Sequence, residues 1–180
     1  MTTKQSGSPS HIQAVSLTPE NYRDYGDVIS ARSDIAPSAA NMGTAKRFNF
    51  LAKLENLRPG KAEPNLCLFR CNPILSGAQP KFEIRLLERH LYSTQAFIPM
   101  QGAERFLVIV CLGKDQPDLS TLRAFVASKS QGMTYKPGVW HHPLVAMDHL
   151  TDFACLVWED GSPEDCEVVN LTPIVTVALP

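Results

Sequence analysis

The sequence predicts an all-β fold, a single sandwich or barrel with a few short helices, and three observations carry that expectation. Between Arg47 and Ala178 the chain breaks into eleven short runs rich in β-branched and aromatic residues, each bounded by Pro, Gly or Asp. No helical pattern separates these runs, which argues against alternating strands and helices and for an antiparallel sheet architecture. The length of 180 residues suits one domain, and 44% hydrophobic residues, with eight Phe and two Trp, supply its core.

Taken in order, residues 1–10 hold Ser, Thr, Gly and Pro without apolar periodicity and read as a flexible arm, leaving 11–180 as the single domain. A short helix follows. Thr18 can cap it, Pro19 suits its first turn, Tyr22 and Tyr25 share a face, and Gly26 can close it after about two turns. Ala31–Gly43 has no period and reads as a long loop, of the kind that often serves as a lid. The strand candidates are Arg47–Leu54, Leu66–Cys71, Phe82–Glu88, Gln95–Ile98, Phe106–Cys111, Leu122–Ala127, Met133–Lys136, Leu144–Asp148, Phe153–Trp158, Glu167–Leu171 and Ile174–Ala178. Pro117–Leu122 reads as a helical turn capped by Asp118.

Composition excludes several classes of function. With 17 Lys and Arg against 18 Asp and Glu, the net charge of -1 gives no field for nucleic acid or an anionic membrane, and a small ligand fits better. Cys67, Cys71, Cys111, Cys155 and Cys166 form no C-x-x-C pair and an odd set, which suits neither a disulfide framework nor a zinc site and points to a reducing cytoplasm. The N-terminal residues lack an apolar signal region, and the apolar runs fall far below the ~20 residues of a membrane span.

Two segments carry candidate chemistry. Residues two apart on a strand face the same side, so Glu88 and His90 can point into a barrel lumen while Arg89 points away. Gln95 follows, and the turn Pro137-Gly138 can present His141 from a neighbouring strand. Together these resemble the two motifs of the cupin superfamily, whose jelly-roll β-barrel gathers such residues in its interior. Glu88 stands where that pattern has its first His, and Gln95 where it has an acid. The set Glu88, His90, Gln95 and His141 is a candidate site for one divalent ion, with oxygen and imidazole donors suiting Mn or Ni, and a metal-independent site is the alternative. Arg70, between Phe69 and Cys71, either reaches solvent or meets an anion. Arg47, after the loop residues Asn41 and Gly43, can reach over a barrel mouth, and Lys136 is a candidate base. His142, next to Pro143, is expected to face away from His141.

Longer runs narrow the resemblance. Tyr25-Gly26-Asp27-Val28-Ile29, Glu88-Arg89-His90, Ser93 to Met100, Pro117 to Phe125 and Val139-Trp140-His141-His142-Pro143-Leu144 together resemble the ureidoglycolate lyase family of allantoin degradation, over about Leu17 to Asn170. That resemblance implies a cupin-like barrel, a homodimer, and the splitting of ureidoglycolate into glyoxylate and urea. It also associates the site with nickel, and with Asn41, Gly43, Arg70, Glu88, His90, Gln95 and His141.

In such a reaction one group must take the substrate's hydroxyl proton and one must protonate the departing nitrogen. His141 is the expected proton-transfer group, or, if a metal binds, a ligand beside which Lys136 or water takes the proton. Arg70, Arg47 and Asn41 are expected on the substrate, with Arg70 on its carboxylate, and Gln95 on its ureido group. Two rivals stand beside this reading. A ureidoglycolate amidohydrolase would release ammonia and would ordinarily need two close metals, where this sequence offers one cluster. A non-catalytic cupin would bind a small carboxylate without turnover.

Overall fold

The computed structural model describes residues 9–73 and 81–180, so the expected arm lies outside the described residues apart from Pro9 and Ser10. In chain order the strands are β1 (His11–Ser16), β2 (Val28–Ile29), β3 (Ser38–Ala40), β4 (Ala45–Arg47), β5 (Glu63–Cys71), β6 (Lys81–Arg89) and β7 (Gln95–Pro99). They continue as β8 (Arg105–Cys111), β9 (Arg123–Ser128), β10 (Gly132–Tyr135), β11 (Trp140–His141), β12 (Val145–Ala146), β13 (Thr151–Glu159) and β14 (Glu167–Ala178).

Six of these close on themselves. The order β11-β6-β14-β1-β9-β8 returns to β11, because β8 pairs with both β9 and β11, and parallel pairing of β1 with β14 and β9 completes the ring. A second sheet, β2-β10-β7-β13-β5, packs against one side of that ring. The central strand β8 shows how the layers are filled. Phe106, Val108 and Val110 join Phe97, Tyr135 and Phe153 between the ring and the second sheet. Leu107, Ile109 and Cys111 alternate with them and join Leu87, Trp140 and Val177 in the ring's own core. Burial on both faces explains why β8 reads in the sequence as an unbroken apolar run.

The expected all-β architecture is present, and several boundaries differ. The helix α1 (Pro19–Tyr22) carries the expected Thr18 cap, with Asn21 returning a hydrogen bond to the Thr18 N–H, but it ends after four residues. Its end is pressed onto β10: the Tyr22 hydroxyl donates to the Thr134 carbonyl at 2.9 Å, and a Cβ on Gly26 would lie 1.8 Å from that same oxygen. Only glycine tolerates this approach. The run from Arg47 to Leu54 leaves the strand after Arg47, since Phe50 takes a φ of 56° and the segment crosses the outer face of the second sheet without a strand partner. The loop to Gly43 holds β3, which pairs with β4 as a small hairpin. Glu167–Leu171 and Ile174–Ala178 form one strand, β14, with a register irregularity between Asn170 and Val175. Polar β1 was not anticipated; it turns Ala14 into the ring core.

Candidate active site

At one end of the space between ring and second sheet, strand alternation assembles a polar cluster. Leu87 and Arg89 on β6 face the ring side, where the Arg89 guanidinium lies 4.5 Å over the Trp140 ring and binds Glu167. Glu88 therefore faces the other way, as does His141, which follows Trp140 on β11 and is the register partner of Glu88. The turn Pro137-Gly138 brings β11 to this place: Gly138 takes a φ of 78°, and its N–H donates to the His90 carbonyl at 2.9 Å. Ligating atoms of Glu88, His90 and His141 all lie within 4.8 Å of one another.

Each imidazole is held by its Nδ1. His141 Nδ1 donates to the Val139 carbonyl at 2.9 Å and His90 Nδ1 to the Asp165 carbonyl at 2.8 Å. A carbonyl only accepts, so the protons sit on Nδ1 and both Nε2 atoms carry lone pairs. His141 Nε2 is buried without a hydrogen-bond partner and lies 3.6 Å from Glu88 Oε1, too far for a hydrogen bond. Nor is the contact an ion pair at neutral pH. Burial, aided by the neighbouring His90, pushes His141 down to about 3, and burial lowers His90 as well. Burial raises the Glu88 carboxyl, against the weaker opposing effect of the Cys166 thiol at 3.9 Å.

This donor set fits a divalent cation. An orphaned imidazole nitrogen, a second imidazole and a carboxylate converge, and each histidine has its Nδ1–H fixed by a backbone carbonyl, the usual outer support of metal-ligating histidines. The support of His90 extends further. The carboxylate of that same Asp165 accepts from Arg58 and from the backbone N–H groups of Asp160 and Gly161, while Arg58 also binds Asp160 at 2.9 Å.

The facing wall comes from the second sheet. Gln95 on β7 and Tyr135 on β10 are register partners, and the Tyr135 ring stacks on His141 with centroids 3.8 Å apart and planes 10° apart. Gln95 Oε1 and the Tyr135 hydroxyl are, like His141 Nε2, buried without a partner.

The structure thus brings together Glu88, His90, Gln95 and His141, and places the other expected site residues elsewhere. On β5, Cys67 and Cys71 face the intersheet core, so Arg70 points outward, where it makes a bidentate pair with Asp152 at 2.8 and 2.9 Å. Lys136 is exposed and donates to the Arg23 carbonyl; Tyr135, its neighbour, takes the inward position. Asn41 lies exposed at the tip of the β3–β4 hairpin, and Arg47 lines a cleft of about 520 Å³ on the outer face of the second sheet. His142 packs edge-on against Phe82, away from the cluster. Reading for charge alone missed Tyr135; continuing the alternation from Met133 would have found it.

Residues 9–178 match the ureidoglycolate lyase family model. The chain is 40% identical to the ureidoglycolate lyase of Salmonella typhimurium over 160 residues, covering 89% of this chain and 94% of that one, and equally identical to that of Escherichia coli O1:K1 / APEC over 161 residues with the same coverage. The chain belongs to the ureidoglycolate lyase family. Among solved structures, a 3,4-ketoisomerase from Helicobacter canadensis matches at a TM-score of 0.39 with 11% identity, covering 79% of this chain and 89% of that one. RmlC from Streptococcus suis matches at 0.37 with 14% identity, over 84% and 75%. Members of the family are lyases, and among the described residues no helix is long and apolar enough to cross a membrane.

Proposed function

We propose that this chain eliminates urea from ureidoglycolate to give glyoxylate at the Glu88, His90, His141 and Gln95 site. The observation that carries the reading is the convergence, in a chain of this family, of a two-histidine, one-carboxylate cluster with buried and unpartnered polar atoms. Unsatisfied buried groups cost about 1–3 kcal/mol each, so their gathering at one point marks a place built for a ligand.

The substrate's central carbon carries a hydroxyl, a carboxylate and a ureido nitrogen. Collapse to the aldehyde takes the hydroxyl proton away, breaks the C–N bond and returns a proton to the departing nitrogen. One group can therefore carry the same proton through both steps. Glu88 is suited to it, because burial raises its carboxyl above its ordinary value and its Oε2 meets the Cys166 thiol, while Oε1 is the oxygen beside His141. His141 is too weak a base for this task and serves instead through its Nε2 lone pair, with His90 and Glu88, as a ligand. Those three residues would hold a divalent cation such as nickel or manganese, which would supply Lewis acidity to the reaction.

The same reading includes a homodimer in the cytoplasm. The outer face of the second sheet exposes Leu66, Leu68 and Ile98, and among the described residues β5 is a long free edge strand, a combination that folded proteins ordinarily cover. A molecular mass in solution of one chain would overturn that part. Five unpaired thiols suit a reducing compartment.

The test of the activity is to supply purified protein with fresh ureidoglycolate, with and without chelator, and to measure urea, glyoxylate and ammonia above the spontaneous rate. Urea and glyoxylate in equal amounts are expected. Ammonia as the main nitrogen product would make the chain an amidohydrolase, and saturable glyoxylate binding without turnover would make it a binding protein.

A further inference from the structure

Gln95 and Tyr135 leave two complementary atoms on the wall opposite the cluster. Gln95 on β7 is the register partner of Tyr135 on β10, so the two side chains leave the second sheet on the same side. The Gln95 carbonyl oxygen Oε1 is buried and without a partner. An acceptor is offered there. The Tyr135 hydroxyl is also buried and unpartnered, and it can donate. Its direction is set, because the ring lies flat against His141 and the backbone is locked in the ladder opposite Gln95.

An acceptor beside a donor, on a wall facing a cationic or acid-base centre, matches one edge of a ureido group, which presents an NH₂ donor and a carbonyl acceptor side by side. We propose that Gln95 Oε1 and the Tyr135 hydroxyl form the ureido-recognition pair of this site, Gln95 accepting from the terminal NH₂ and Tyr135 donating to the ureido carbonyl. The inference rests on the ureidoglycolate reading and adds to it a specificity-determining residue, Tyr135, and a division of labour in which Gln95 does not serve both ends of the ureido group. Holding the ureido carbonyl in this way leaves the nitrogen attached to the central carbon turned toward Glu88, the group that must protonate it.

The experiment uses two probes that split the substrate. N-carbamoylglycine carries the carboxylate and the ureido group without the reacting hydroxyl, and glyoxylate carries the carboxylate without the ureido group. Tyr135→Phe keeps the ring on His141 and removes only the donor. Calorimetric titration should show N-carbamoylglycine binding weakened about tenfold, with glyoxylate affinity and metal content unchanged. Gln95→Met, which removes the acceptor, should show the same selective loss, and it decides the matter if Tyr135→Phe does not fold. Equal N-carbamoylglycine affinity in wild type and variants overturns the proposal, as does an equal loss for both probes, which would make Tyr135 a support of His141 alone. Wild-type protein that binds glyoxylate but releases no urea from ureidoglycolate refutes the activity itself, a result distinct from either.

Discussion

The two faces of the second sheet treat polar groups in opposite ways. On the outer face, Arg70 and Asp152 satisfy each other with two parallel hydrogen bonds in view of solvent. On the inner side, Gln95 and Tyr135, with His141 stacked on the Tyr135 ring, leave three buried polar atoms without partners. The outer pair is a finished interaction. Its guanidinium has no bidentate capacity left for a substrate carboxylate, because the fork that would grip it is already closed on Asp152. The inner cluster is unfinished: burial keeps its histidines neutral and raises the Glu88 carboxyl above its ordinary value. A bound cation would supply the missing partner for His141 Nε2. Charge on the surface is thus a poorer guide to this site than incompleteness in the interior.

The sharpest way to break the comparison is His141→Asn. If the cluster is the site and His141 a ligand, kcat falls by about 10²–10⁴-fold, and bound metal falls with it. Metal analysis beside steady-state kinetics checks both. Retained metal with lost turnover would make His141 the proton acceptor, and full activity would remove it from the site.

How far this contrast could be seen in the sequence depends on the residue. The period of two on β6 placed Glu88 and His90 on one side and Arg89 on the other, and the Pro137-Gly138 turn brought His141 to them, because both are local rules of backbone geometry. The ring closure was not legible, since it depends on β1 pairing in parallel with two strands more than a hundred residues away. Nor was the outward turn of Arg70. A charge between two apolar residues reads equally as a buried ligand grip or a solvent-facing side chain, and only the partner strand β13, which brings Asp152 opposite, separates them. Asp165 acts through its carbonyl, which leaves no trace in residue type.

A smaller effect tests the dryness of the inner face. His141 ordinarily titrates near 6.5 and in the fold near 3. Between these values the unfolded chain binds a proton there and the folded chain does not, so acidification favours unfolding. Stability of metal-free protein, measured by urea denaturation, should therefore fall as pH drops below 6.5. Glu88, raised in the fold, acts in the opposite sense and is common to wild type and variant. The slope for wild type should exceed that for His141→Asn by up to about 1.4 kcal/mol per pH unit. Equal slopes would mean that His141 is hydrated and freely protonated.

The smallest effect is expected on the outer face, and it decides between the position of Arg70 and the role that the sequence led us to expect for it. The Arg70 side chain is 66% exposed and its partner is a single carboxylate, so Arg70→Ala should cost about 0–1 kcal/mol of stability. Kinetics should be insensitive to it. Had Arg70 clamped the substrate carboxylate, losing that charge-assisted fork would weaken binding by about 1.5–3 kcal/mol, a rise in KM of tenfold or more. Asp152→Asn supplies the complementary readout: it frees the guanidinium without removing it, and on the outer face it should leave KM unchanged as well. A KM that rises with Arg70→Ala and falls with Asp152→Asn would show that the guanidinium reaches a substrate, and would move the carboxylate grip to the outer side of the sheet.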